Sequence, residues 1–280
     1  NDLHTNFKIH QTKGNEWVIL TAPDGLTVID SVFVKPCLTN QSRGRYTDGA
    51  EEWGVFTNPS PMAANNNAFE RYANTPNFST APGFYPSSVS VTLSTTEQNA
   101  EIYYTTDGSY PNIGSNLYTN PIEISATTVV KATTVSANAQ ILNSFMEYGT
   151  FFINETFTMP VLSVSGDEID ELLSGDEIKP LGTFEYYKQN GELADKARGE
   201  FNEHGNDSWG YDQRGFDYIT RDQLGYNYAI KDELFRTKNR NKYQRLIIKA
   251  AANDNYPFAY GGSEAHIRDS YVQSLSQIAD

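Results

Sequence analysis

Basic side chains are concentrated in one stretch of the last third of the chain, and the chemistry that they could supply is anion binding. Six of them follow one another with no acidic residue in between: Arg236, Lys238, Arg240, Lys242, Arg245 and Lys249. A phosphate or carboxylate could be held there, but most such runs are solvated faces of a domain. The run by itself therefore favours an exposed surface over a defined anion site.

Histidine and cysteine do not occur at the spacing that a metal site needs. His204 and His266 stand apart from other ligand types, and a turn or a helix start explains each of them better than a metal does. Cys37 is the single cysteine of the sequence, which excludes an intrachain disulfide bond and a cysteine-based zinc site. Gly261-Gly262 is too short a signal for a phosphate-binding loop. We expect no metal ligands in this chain.

The overall charge makes one class of partner improbable. The sequence has 21 Lys and Arg against 35 Asp and Glu, a formal net charge of -14. Nucleic-acid affinity comes largely from Lys and Arg side chains that displace counterions from phosphates, so we expect no nucleic-acid partner. No apolar run approaches the roughly 20 residues that span a bilayer, so we do not expect the chain to cross a membrane.

The composition and the first third of the chain predict β structure. The sequence has 18 Tyr and 15 Phe but 3 Met, which favours half-buried strands joined by turns. Short apolar runs separated by turn residues occupy residues 15–56 and predict two or more strands. Residues 58–67 end this unit because their prolines block both a strand ladder and a helix. We expect a partial β domain over residues 1–67 and a linker over 68–82.

A second β unit is predicted over residues 83–157. Strict alternation over residues 88–93 places Val89, Val91 and Leu93 on one face of a strand. The strand predicted over residues 100–106 runs into Asp107-Gly108, a pair suited to a turn with positive φ. Further apolar runs at residues 121–124 and 127–134 complete a small antiparallel sandwich.

Residues 158–280 change to a mixed α+β pattern. Residues 167–175 predict a short helix with an acidic first turn and a glycine at its end. Strands are predicted at residues 183–187 and 243–249, with a hairpin turn through Gln189-Asn190-Gly191. Apolar residues at helical spacing predict a closing helix over residues 266–278.

Two stretches resemble families with immunoglobulin-like folds. Residues 100–111, with the core Tyr103-Tyr104-Thr105-Thr106-Asp107-Gly108, and residues 117–122 resemble the C-terminal domain of chitobiase and β-hexosaminidase, which implies a sandwich without catalytic residues. Residues 29–32, 41–49, 52–53 and 57–61 resemble the second half of a lamin-tail domain, here without its opening strands. An incomplete sandwich leaves an unpaired strand edge.

The last third resembles the N-terminal part of the spore coat protein H (CotH) family. The resemblance rests on the order of several stretches: Ala197-Arg198-Gly199-Glu200, His204-Gly205-Asn206-Asp207, Gln213-Arg214-Gly215-Phe216-Asp217, Arg221-Asp222-Gln223-Leu224-Gly225, residues 246–254 and His266-Ile267-Arg268-Asp269. It implies an atypical protein-kinase-like fold, in a family whose characterised members transfer phosphate from ATP to protein hydroxyls.

That resemblance also implies four cations that face phosphates: Arg198, Arg214, Lys249 and Arg268. Arg214 stands where many members have a lysine, and a planar guanidinium does not replace an ammonium. For each cation the competing interpretation is a salt bridge to the plentiful acids. The family's catalytic and metal-holding aspartates are expected beyond Asp280. We therefore assign no catalytic residue and no cofactor to residues 1–280, and expect ATP and Mg²⁺ only in a longer protein.

The sequence thus predicts a mainly β chain followed by an α+β region: a partial lamin-tail segment, a sandwich over 83–157 and the start of a CotH kinase-like domain over 158–280. We expect a piece of an extracytoplasmic bacterial surface protein, secreted or at the cell surface, whose β modules present the kinase-like domain to protein partners. The alternative is a non-catalytic adhesive module that holds a cell-surface glycan, with Tyr103 or Tyr110 as contacts. A purely structural scaffold is the third interpretation.

Overall fold

The computed structural model describes residues 9–205, 209, 214–235, 238–250, 271–272 and 274–275. Strands form most of the regular structure, so the expectation of a mainly β chain is confirmed. Residues 271–272 and 274–275, inside the predicted closing helix, are helical. Among the described residues no helix has the length and apolar character needed to cross a membrane.

The first unit consists of two antiparallel hairpins. They are formed by β1 (Trp17–Thr21) with β2 (Val28–Phe33), and by β3 (Ser42–Arg45) with β4 (Trp53–Phe56). The Arg45 guanidinium donates to both carboxylate oxygens of Asp30, at 2.6 and 2.7 Å, and so ties β3 to β2. It also lies 5.2 Å from the centroid of the Trp53 ring. Arg45 therefore has a local structural role.

The middle unit is a β-sandwich. Its strands are β5 (Arg71–Tyr72), β6 (Asn77–Phe78), β7 (Gly83–Tyr85), β8 (Val89–Val91), β9 (Leu93–Ser94), β10 (Ala100–Thr105), β11 (Asn116–Leu117), β12 (Ile122–Ile124), β13 (Thr128–Ser136), β14 (Ile141–Leu142) and β15 (Glu147–Ile153). The large sheet has the strand order β11-β10-β13-β15-β7, and the short pairs β12-β8 and β6-β9 cover one face of it. Val91 and Leu93 are buried in the core between the layers and Val89 packs against them, as the alternation predicts.

The segment predicted as a linker, residues 68–82, is part of this sandwich. Strand β5 pairs with β14 and β6 pairs with β9. Each strand has only two residues, which is too short for a periodic pattern to stand out from a sequence rich in Asn, Pro and Thr. The first and middle units are therefore joined by a segment with ordered pairing.

The third unit is a five-stranded antiparallel sheet with one short helix. The elements are β16 (Val161–Ser165), α1 (Ile169–Ser174), β17 (Leu181–Tyr187), β18 (Leu193–His204), β19 (Gly215–Thr220) and β20 (Arg245–Ile248). The strand order is β16-β17-β18-β19-β20, and the helix buries Ile169 and Leu172 against one face of the sheet. Gly175, in the left-handed region at φ 115°, ends the helix as predicted. The kinase-like fold stays a prediction.

The other face of the third sheet packs on the large sheet of the middle unit. The Tyr187 ring lies edge-on to Phe152 with 5.2 Å between the ring centroids, and its hydroxyl oxygen is 3.2 Å from the Thr150 carbonyl oxygen. Glu185, fully buried beside them, accepts hydrogen bonds from Thr150 and from the Tyr187 hydroxyl. The two units therefore share a buried and partly polar interface.

The first unit also contacts the third. The side-chain amide of Gln11 donates to the carbonyls of Cys37 and Asp222, and its oxygen accepts from the Cys37 N–H. The Thr39 hydroxyl donates to the Gln223 carbonyl. Segments far apart in sequence thus meet at one side of the molecule.

Candidate functional site

Arg198, one of the four predicted phosphate contacts, lies in the interface between the middle and third units. Its guanidinium carbon is 4.6 Å from the centroid of the Tyr110 ring. The Tyr110 backbone N–H donates to Asp167 at 2.7 Å. Cation–π stacking and this hydrogen bond account for Arg198 and Tyr110 as contacts between units. Tyr103, the other aromatic residue of the adhesive hypothesis, donates its hydroxyl to Glu101.

Arg214 is bound to the end of α1. Its Nε donates to the Trp209 carbonyl at 2.8 Å and its Nη1 donates to the Leu173 carbonyl at 2.9 Å. The last turn of α1 has no basic residue of its own, and a cation there stabilises the negative end of the helix dipole. Two separated donors in one plane explain why an arginine suits this position better than a lysine.

Replacing Arg214 by alanine is therefore expected to lower the free energy of unfolding by about 1 kcal/mol, because two carbonyls lose a charged donor. Arg214→Lys is expected to recover only part of that, since an ammonium cannot reach both carbonyls in one plane. Urea unfolding measures both variants, with the exposed Lys35→Ala as control. An unchanged midpoint for Arg214→Ala would contradict this structural role.

The predicted cations do not form one cluster among the described residues. Arg198 precedes His204 by six residues on β18, and His204 pairs with Gly215, the neighbour of Arg214. At about 3.3 Å per residue the two arginines are separated by roughly 20 Å along the sheet. Lys249 directly follows β20, at the end where Arg214 lies, and Arg268 is outside the described residues. Nucleotide binding by these four residues stays a prediction.

The interface contains a buried lysine that the sequence analysis did not single out. Lys131 is 2 % exposed, and its Nζ donates to the carbonyls of Gly108 and Ser165. Burial lowers the pKa of Lys131 to about 8; the nearby charge of Arg198 acts in the same direction, and Asp167, Glu185 and Asp107 oppose it. The sequence indicates this lysine only as the single charged residue in the strand β13.

The carboxyl of Glu185 lies in the same interface. Burial raises its pKa above the ordinary value, although hydrogen bonds from Thr150 and the charge of Lys196 act in the opposite direction. Paired with these donors, the carboxyl holds β15 to β17. This cluster fixes how the middle and third units meet.

A cleft of about 360 Å³ opens where the three units meet. Its volume is within the range of small-ligand sites. The first unit contributes both polar and apolar residues, the middle unit contributes Met146 and the start of β15, and the third unit contributes residues from β18 and from the segment after β19. The lining residues are Gln11, Thr12, Gly14, Phe33, Val34, Pro36, Met146, Glu147, Tyr148, Lys196, Gly225, Tyr226 and Asn227.

The polar residues of this cleft are held in place by the protein itself. The Tyr226 hydroxyl donates to the Met146 carbonyl at 2.9 Å and accepts from the Met146 N–H at 2.8 Å. The Asn227 amide donates to the Lys196 carbonyl at 2.8 Å and to Asp195 at 3.0 Å. Their positions are thus set before any ligand arrives, which lowers the entropic cost of binding.

An ion pair forms the charged part of the cleft. The Lys196 ammonium pairs with the Glu147 carboxylate, donates to the Tyr148 carbonyl at 2.6 Å and lies 4.5 Å from the centroid of the Tyr148 ring. Both charged side chains keep about a quarter or more of their surface exposed, at 26 % and 30 %. Hydrogen bonding to a ligand therefore remains open to them. Three or more metal-ligating side chains do not come together anywhere in the described part of the chain.

Comparison with known families finds a similarity for one part of the chain. The family model for the chitobiase/beta-hexosaminidase C-terminal domain matches residues 80–142. The middle unit is similar to this domain. The match ends shortly before the cleft residues of β15, and it confirms the resemblance drawn from the sequence for this unit. No curated protein matches the chain, and the lamin-tail and CotH resemblances stay predictions.

Proposed function

We propose that this chain is a non-catalytic binding module of an extracytoplasmic protein and that it holds a cell-surface glycan in the cleft between its three units. The observation that carries the proposal is the convergence of three units on a cleft whose polar side chains are already fixed. A surface assembled from distant segments and held rigid is suited to binding a ligand with little rearrangement.

The chemistry of the lining favours a sugar. The rings of Phe33 and Tyr226 offer apolar faces for stacking, while Lys196 offers a donor and Glu147 offers acceptors for hydroxyl groups. The similarity of residues 80–142 to a domain of carbohydrate-active proteins supports the same ligand class. A protein ligand is the alternative, and the experiment must distinguish it from a glycan.

The test is a glycan array followed by calorimetry with oligomers of N-acetylglucosamine. Wild-type chain is expected to bind saturably, and the double variant Lys196→Met/Glu147→Gln is expected to bind about tenfold or more weakly, because hydrogen bonds to charged groups are lost. Melting temperatures of both proteins show whether the fold is intact.

The matched control is Lys188→Met/Glu192→Gln, an exposed pair of the same residue types with 3.7 Å between Nζ and Oε2. It should bind like the wild type. Absence of saturable binding to every glycan, or equal binding by the cleft variant, would overturn the proposal. Binding to a protein but to no glycan would support the cleft as a binding site and show that its ligand is a protein.

A further inference from the structure

A second hollow, separate from the cleft, lies between the first unit and the middle unit. It has a volume of about 360 Å³. Backbone hydrogen bonds hold together the segments that border it. Phe69 pairs with Val55 of β4 through two such bonds of 2.8 Å, and the Glu70 N–H donates to the Gln140 carbonyl at 2.8 Å. The lining residues are Thr57, Asn58, Asn66, Asn67, Ala68, Phe69 and Gln140.

Neutral amides dominate this lining. Asn58, Asn66, Asn67 and Gln140 each present one acceptor oxygen and an NH₂ group with two donors. One hydrogen bond links two of them, from the Asn67 amide to the Asn66 oxygen at 3.0 Å. Within the described residues, the exposed side-chain amides of Asn58 and Gln140 have no protein partner. Their donors and acceptors are open to a ligand.

The hollow also offers a fixed aromatic ring. Phe69 is half-buried, and its backbone is held by the pairing with Val55. Next to it, Asn67 adopts the left-handed region at φ 57°, a conformation that asparagine tolerates better than most residues do. Phe69 and Asn67 therefore lie close together on one segment of defined backbone conformation, and Asn58 and Gln140 come from other segments.

We infer that this hollow binds an uncharged sugar. A side-chain amide can donate to one hydroxyl of a sugar and accept from its neighbour, and the Phe69 ring can stack on the apolar face of a pyranose. The residues that line the hollow include no charged side chain, so an ionised sugar would lose hydration there without gaining a counter-charge. The net charge of -14 further disfavours anionic polymers.

This inference goes beyond the proposed function, because it rests on different residues and does not require the cleft. The two sites can be separated by variants. Asn58→Ala and Gln140→Ala remove exposed amides without protein partners, so both proteins are expected to fold normally. Asn120→Ala, another exposed asparagine outside both sites, is the matched control.

The experiment is titration of the full chain, observed by NMR of the side-chain NH₂ signals, with three probes of equal length. Triacetylchitotriose is neutral, chitotriose is cationic and trigalacturonic acid is anionic. We expect the neutral probe to shift the Asn58 and Gln140 signals. In the double variant Asn58→Ala/Gln140→Ala the site is followed through the remaining NH₂ signals of Asn66 and Asn67, and we expect an affinity at least tenfold weaker than in the wild type. The control variant should keep the wild-type affinity.

The cleft variant Lys196→Met/Glu147→Gln should keep the shifts at Asn58 and Gln140, which distinguishes failure of one site from failure of the other. Three results would overturn the inference: no shift with the neutral probe, equal affinity of the double variant at this site, or binding of a charged probe as tight as that of the neutral one.

Discussion

Replacing Gly199 by alanine is expected to unfold the sheet of the third unit. Gly199 lies at the centre of β18, paired with Gly182 of β17 and with Thr220 of β19. A Cβ atom there would come within 2.2 Å of the Ile219 carbonyl oxygen and 2.7 Å of a ring carbon of Tyr218. Both neighbours are fixed, because one is backbone of the paired strand and the other is a fully buried side chain.

The expected loss exceeds about 4 kcal/mol, which is comparable to the whole stability of a small domain. Urea unfolding followed by tryptophan fluorescence and far-ultraviolet circular dichroism measures it. Gly114→Ala is the control, since its Cβ would meet only the side-chain oxygen of Asn112, at 3.0 Å. A folded Gly199→Ala protein with the wild-type midpoint would contradict the pairing of β18 with β19.

The contribution of Lys131 to the free energy of unfolding is also expected to increase as the pH rises from about 8 towards 10. In the folded chain the pKa of Lys131 is lowered to about 8, against an ordinary value of 10.5. Between these two values the unfolded chain binds this proton and the folded chain does not, so this one contribution increases with pH. From pH 7 to pH 10 the contribution is about 2 kcal/mol.

Lys131→Met should remove this rise, and the measurement is the difference between variant and wild type in urea at several pH values. In this difference, the contributions of groups that titrate in both proteins cancel. Cys37 is one of these groups. Burial raises the pKa of its thiol, so its contribution to the free energy of unfolding decreases at high pH. An identical pH dependence for Lys131→Met and wild type would show that Lys131 is not the cause.

Local patterns in the sequence were sufficient for several elements. The alternation over residues 88–93 predicted which side chains enter the core, and Val91 and Leu93 are buried. Asp107-Gly108 predicted a turn with positive φ, and Gly108 has a φ of 84°. Gly175 predicted the end of α1. Each of these features depends on neighbours two to four residues away, which the sequence displays directly.

The contacts of the predicted cations could not be derived from local patterns in the sequence. A resemblance can suggest that Arg198 and Arg214 face phosphates, but their position along β18 and beyond its end separates them by roughly 20 Å. Their actual contacts, the Tyr110 ring and the Leu173 carbonyl, come from other parts of the chain. No spacing along the sequence encodes those distances.

By itself, the sequence determined the β character of the chain, the turn and helix-ending glycines and the similarity of the middle unit to a known domain family. Only the tertiary structure decided that Lys131 is buried, that Glu147 meets Lys196 and that four neutral amides and Phe69 line one hollow. The physical reason is that strand periodicity records which face of a strand is apolar. Which distant segment then covers that face depends on how whole sheets pack together.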